Sequence, residues 1–297
     1  MSTAVRHPAP VLRAAAYMAG TLVALVLMAI GGRELAAALT PFQIILCRSV
    51  IGAVVISGIL LWRGWRLVAT GRPGLHALRN VVHFLGGCGW FYGLAHLSLA
   101  EVFALEFTVP LWTALIAAAF LKERLTPPRV TAVVCGLAGV LLILRPGVVA
   151  VSAASLAVLG GAVAYAVSYT FTKRITATDA PITVLFYMAL AQIPLSLGPS
   201  LGHSFAPVLV LWPWVLVVGL TTLAAHFCIT RALTLADASV VVPLDFLRLP
   251  LIALVGALRY GETIDWWVLA GAATMVAGNV VSLHAERRAW RAKAVEA

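Results

Sequence analysis

Apolar runs long enough to cross a bilayer recur along the chain, separated by short stretches that hold most of its polar and charged residues. A transmembrane helix needs about 20 predominantly apolar residues at a rise of about 1.5 Å each. Ten segments meet or approach that length: residues 14–32, 41–62, 81–97, 102–121, 130–144, 153–172, 181–198, 211–231, 238–258 and 264–283, the first and fifth being short. The pattern predicts an all-α integral membrane protein. Arg6 and Arg13 ahead of the first run give it the outline of a signal peptide. That run continues through Ile30 into Gly31 and Gly32 without a small-x-small cleavage site, so it predicts a retained first helix.

Composition agrees. Hydrophobic residues fill 62% of the 297 positions, charged residues 11%, and mean hydropathy is +1.01, whereas soluble domains are roughly half apolar and a quarter charged. The net charge of +10 raises the question of nucleic acid. The basic residues lie in short loops between apolar spans, which leaves no soluble domain to bind it. Cys47, Cys88, Cys135 and Cys228 are scattered through apolar stretches without a CxxC pair, and read as small packing residues. No metal site or cofactor is implied.

The basic residues also orient the spans, because Lys and Arg accumulate on the cytoplasmic side. With a cytoplasmic N-terminus, 16 of the 21 fall inside. Arg33, Arg145 and Arg259 fall outside, and Arg48 and Arg248 lie within spans. A span count wrong in the middle would scramble that asymmetry, so both termini are expected in the cytoplasm.

An internal repeat is visible. Leu97-Ser-Leu-Ala-Glu101 resembles Leu233-Thr-Leu-Ala-Asp237; Glu106-Phe107 matches Asp245-Phe246, and Glu123 matches Glu262. Pro110 and Pro250 follow one residue out of register. Five spans per copy is an odd number, so the second copy, 152–297, enters the membrane inverted relative to the first, 1–147. Such repeats support alternating access around a site near the midplane.

The stretch Gly93 to Pro110, then Phe120-Leu-Lys-Glu-Arg-Leu125 and Gly136 to Gly147, resembles the EamA module of the drug/metabolite transporter superfamily; Pro243 to Pro250 and Gly261-Glu262 resemble a second copy. The resemblance implies a ten-helix secondary-active transporter in a bacterial inner membrane. Its cargo would be a small polar organic metabolite such as a vitamin, an amino acid or a nucleotide-like compound. The Glu-Phe-Thr-x-Pro signature at Glu106 is similar to that of members proposed to carry riboflavin or S-adenosylmethionine. Direction is left open between uptake and export of drugs or metabolites, and the chain would act as a monomer or a homodimer.

A charge at the centre of a span costs several kcal/mol on insertion scales, so each needs a partner or a purpose. Arg48, Glu106, Asp245 and Arg248 are such residues. Asp245 and Arg248, three apart, share one face of a continuous helix and can pair. They form either a closed network with Arg48 and Glu106 that holds helices together, or a site for a charged or zwitterionic solute or a coupling proton. Glu101 and Asp237 read as acids at helix N-termini, and Glu123 and Glu262 as structural ends of the repeat beside Lys122, Arg124 and Arg259. His83 and His226 are polar groups within apolar helices, either packed through hydrogen bonds or moving protons.

Trp62, Trp65, Trp212 and Trp214 fall at predicted interfaces as belt residues. Among the deeper aromatics, Trp90 and Tyr165 are the candidates for the wall of a cavity. The glycines Gly86, Gly87, Gly89 and Gly93 favour close helix approach. From another class, a membrane-embedded enzyme is the alternative, but the chain has no HExxH, GxSxG, P-loop or metal-ligand cluster, so no catalytic residue is assigned. A channel lacks its rings of charge.

Overall fold

A computed structural model describes residues 8–121, 126–148, 150–235 and 244–296. The helices among these residues are α1 (Pro8–Ala36), α2 (Pro41–Arg63), α3 (Pro73–His96), α4 (Leu99–Glu106), α5 (Val109–Leu121), α6 (Pro127–Leu144), α7 (Ala153–Ile175), α8 (Pro181–Ser200), the short α9 (Ala206–Val210), α10 (Trp212–Leu235), α11 (Arg248–Tyr260) and α12 (Trp266–Glu296). No β-strand occurs among the described residues.

The starts are written locally. Proline opens α2, α3, α6 and α8, where its missing N–H has no helical partner to lose. Thr40 and Gln43 form a reciprocal capping box on α2, and Ser98 and Ser152 accept from the backbone N–H groups of Glu101 and Ser155 to cap α4 and α7.

Among the described residues, eight helical segments are long and apolar enough to cross a membrane. Of the other two expected spans, 81–97 lies in α3, which begins earlier than expected and whose first half carries His76, Arg79, Asn80 and His83. Arg79, counted as a loop residue from the sequence, is therefore a buried helical one, 3% exposed. Span 238–258 ends in α11, and its residues 238–243 lie outside the described residues, as do Glu123 and Asp237. Leu61, Val54, Leu141 and Leu258 are among many large apolar side chains exposed on the surface, as a lipid-facing shell requires. Trp62, Trp65 and Trp212 are exposed near helix ends. Trp214 is half-buried beneath the Arg259 guanidinium, 5.5 Å from the ring centroid.

The principal packings join early helices to late ones: α1 with α10, α3 with α7, α2 with α8 and α6 with α12. Glycine permits two of these approaches. A side chain on Gly89 would collide with the Ala157 carbonyl of α7, and one on Gly139 would meet the Gly271 carbonyl of α12 at 2.6 Å. The largest buried cluster, with Phe91, Leu94, Phe103 and Leu105, also takes in Leu249, Ile252 and Met275 from the later helices.

Candidate functional site

The span expected at 102–121 is not one helix. Pro110 has no N–H to return to the carbonyl of Glu106, and its ring crowds that carbonyl, so α4 ends at Glu106 and α5 starts at Val109. Thr108 Oγ1 donates to the Leu105 carbonyl at 2.7 Å and accepts from Trp112 Nε1 at 3.0 Å, satisfying polar groups at the break. In the later half, Leu244 and Asp245 are helical, Phe246 and Leu247 turn, and α11 starts at Arg248 with Pro250 just inside. Asp245 and Arg248 therefore do not share a continuous helix. The matching residues Glu106 and Asp245 each stand at a helix break.

The breaks meet. The Phe107 and Phe246 rings pack edge to face with centroids 5.3 Å apart, and the Arg248 guanidinium lies 4.7 Å from the centroid of Phe107. Arg248 Nη1 donates to Glu106 Oε1 at 3.3 Å, and its Nε lies 3.6 Å from Asp245 Oδ2. Trp90 Nε1 donates to the other Glu106 oxygen at 3.0 Å. Asp245 Oδ1 is buried without a hydrogen-bond partner among the described residues. Glu106 ends its helix and Arg248 begins one, so each faces the unfavourable pole of its own helix dipole, a penalty of ~0.3–1 kcal/mol per charge. Their mutual attraction opposes those penalties.

Arg48 does not join this network. Its Nη2 donates to Gln192 Oε1 on α8 at 2.8 Å; Gln192 Nε2 lies 3.0 Å from His83 Nδ1, and the guanidinium sits 5.6 Å from the Phe91 centroid. The acceptor on Gln192 is thus supplied by an uncharged side chain, which no charge-based reading of the sequence singles out.

Both arrangements open onto one cavity of about 710 Å3. All eight candidate residues from the sequence line it: Arg48, His83, Trp90, Glu106, Tyr165, His226, Asp245 and Arg248. Tyr169, Phe103, Phe107 and Phe246 add aromatic wall that the sequence left unassigned. The cavity reaches Arg129, Lys173 and Leu283, near the start of α6, the end of α7 and the late part of α12, which together mark its Lys173 end.

The opposite end is laced by polar contacts whose residues take no part in the lining. Arg33 donates to Glu262 Oε1 at 3.1 Å and to the carbonyls of Leu94 and Leu97. Glu262 Oε2 accepts from the Leu99 backbone N–H at 2.9 Å, so a carboxylate from one half caps α4 of the other. Arg259 pairs with Glu34 at 2.9 Å rather than with Glu262, and Arg145 pairs with Asp265 at 2.6 Å. Ser155 Oγ donates to Glu101 Oε1 at 2.9 Å.

The EamA-like transporter family matches the chain twice, over residues 12–145 and 152–283. The riboflavin transporter of Brucella anthropi is 30% identical over 239 residues, 78% of this chain and 84% of that protein. The S-adenosylmethionine uptake transporter of Rickettsia bellii is 23% identical over 86% of this chain and 88% of that one. The pseudopaline exporter of Pseudomonas aeruginosa is 27% identical over 82% and 86%. One crystal structure, at 21% identity, superposes with a TM-score of 0.64 over 93% of this chain and 98% of that one, a likeness of fold. Two family matches spanning most of the sequence, on a helical bundle of membrane-crossing segments, settle the kinship: this chain belongs to the EamA-like transporter family.

Proposed function

We propose that the protein is a secondary-active carrier of a small polar organic metabolite in a bacterial inner membrane, working by alternating access between two inverted five-helix halves, 1–147 and 152–297. With ten crossings both termini would lie on one side, and the basic loops assign that side to the cytoplasm. The Lys173 end then faces the cytoplasm and the Glu262 end faces outward, so this conformation is open inward. The observation that carries the reading is a cavity bordered by both helix breaks, whose lining reaches the Lys173 end and includes none of the residues paired at the Glu262 end. Broken helices at the junction of two repeats are where such carriers hold their solute.

The volume lies within the ~300–1,000 Å3 occupied by small-molecule sites. Aromatic walls with a few convergent charges suit cargo that is planar and polar. The similarity to a riboflavin transporter and to an S-adenosylmethionine uptake transporter makes these two solutes the first to try. Arg48, His83, Trp90, Glu106, Tyr165, His226, Asp245 and Arg248 would contact the solute. Export is the same cycle run the other way, and the similarity to a pseudopaline exporter favours testing it.

The test is uptake of radiolabelled riboflavin and S-adenosylmethionine into liposomes holding the purified protein, with and without a pH gradient and with unlabelled solute inside. Saturable, counterflow-stimulated uptake of either supports the reading. Uptake that is linear in concentration and indifferent to internal solute contradicts a carrier.

A further inference from the structure

Charges of both signs in and beside the cavity lack a counter-ion among the described side chains. Among the described side chains every carboxylate has a hydrogen-bond or ion-pair partner: Glu34 with Arg259, Glu101 with Ser155, Glu106 and Asp245 with Arg248, Asp179 with His76, Glu262 with Arg33 and Asp265 with Arg145. None of these lies within ion-pair distance of Arg48, which is 7% exposed and lines the cavity. Its hydrogen-bond partner is the neutral Gln192. Arg79 stands one turn before His83 on α3 and is likewise buried. It donates to Thr172 Oγ1 at 3.1 Å and to Asn80 Oδ1 at 2.8 Å, again to neutral groups. Two guanidinium charges, on α2 and α3, are thus held without a counter-ion among the described side chains.

The excess at the helix breaks has the opposite sign. Glu106 and Asp245 share the cation Arg248, which leaves one negative charge in excess, and Asp245 Oδ1 is buried with no hydrogen bond from the described residues. An uncompensated charge in low dielectric is costly, and pairing relieves it. A guanidinium with free donors is a fork suited to a carboxylate.

Resting on the transport reading above, we infer that the solute is a zwitterion of the amino-acid type, its carboxylate held by Arg48 and its cationic group directed to Asp245 Oδ1. Each pole of the solute meets the pole of the cavity that lacks a counter-ion. A neutral solute would leave both uncompensated.

Matched solutes decide this on the wild-type protein. Purified full-length chain in detergent is titrated, with thermal stabilisation as the readout, against S-adenosylmethionine and its decarboxylated analogue, against free amino acids and their amides, and against riboflavin. The tightest ligand is expected to carry a carboxylate, and its carboxylate-free partner to bind roughly tenfold more weakly or worse. In Arg48→Gln that difference disappears, whereas Arg48→Lys, which keeps the charge and guards against a mere folding defect, retains part of it. Tightest binding by riboflavin, equal in wild type and Arg48→Gln, overturns the inference, and so does a panel in which no carboxylate-bearing solute stabilises. The transport reading falls separately, if liposomes show no saturable, counterflow-stimulated uptake of any of these solutes.

Discussion

Phe107 and Phe246, matching positions in the two halves and 139 residues apart in sequence, touch edge to face at 5.3 Å. The two helix breaks therefore meet at one point, and Arg248 rests against Phe107 while bridging the carboxylates that stand at the breaks. A hinge between the halves placed here would move the charges and the rings together.

Removing Arg248 leaves two carboxylates facing each other in a half-buried site. Arg248→Ala is expected to destabilise the fold by about 3–5 kcal/mol, the cost of stranding a buried charge. Glu106→Gln keeps the shape, an acceptor for the Trp90 indole and the Arg248–Asp245 pair, so its melting temperature should stay close to the parent's while uptake is lost. Thermal melts of the two variants beside liposome uptake check this; equal destabilisation by both would make Glu106 a structural residue.

Glycine substitutions separate contact from propensity. Gly139→Val drives a branched side chain into the Gly271 carbonyl and should cost about 1–3 kcal/mol by overpacking. Gly160 lies in α7 with nothing within 4 Å of the point where a Cβ would stand, so Gly160→Ala should raise stability by about 0.5–1 kcal/mol through helix propensity alone. Thermal melts of both in the same detergent give the comparison.

Acid should act through the loop between α7 and α8. Asp179 Oδ2 accepts from Thr70 Oγ1 at 2.5 Å and from His76 Nε2 at 2.8 Å, and these bonds hold its carboxyl down at about 2. A depressed folded-state value means the contribution to stability is complete above the ordinary Asp range near ~4 and is lost as pH falls toward 2. Melting temperature followed downward from pH 6 should therefore drop more steeply below pH ~4 in the parent than in Asp179→Asn, which is less stable at pH 6.

Much of the candidate site's lining was legible because charge in a membrane is rare. Arg48, Glu106, Asp245 and Arg248 stood out against their apolar neighbours, and one cavity gathers them with His83, Trp90, Tyr165 and His226. Gln192 carries no charge and gave no such signal, although it links Arg48 to His83. The helix breaks had a local sign, Pro110 four residues after Glu106, that the apolar run through 102–121 masked. Arg79 was misplaced because its polar neighbours look like a loop until α7 and α8 are packed against them. The bond from Arg33 to Glu262 joins residues 229 apart, and spacing alone encodes no such pairing.

The central claim is that one cavity serves both faces of the membrane by turns, and side-specific labelling tests it most directly. Thr113→Cys, on the cavity wall, would be placed in a chain whose Cys47, Cys88, Cys135 and Cys228 are replaced, and exposed to a membrane-impermeant maleimide from either side. Labelling is expected from the cytoplasmic side in the parent, and from the outer side at a rate that rises severalfold when Glu262→Ala releases Arg33 and the start of α4. Equal labelling from both sides without that release, or no labelling from either, would contradict alternating access.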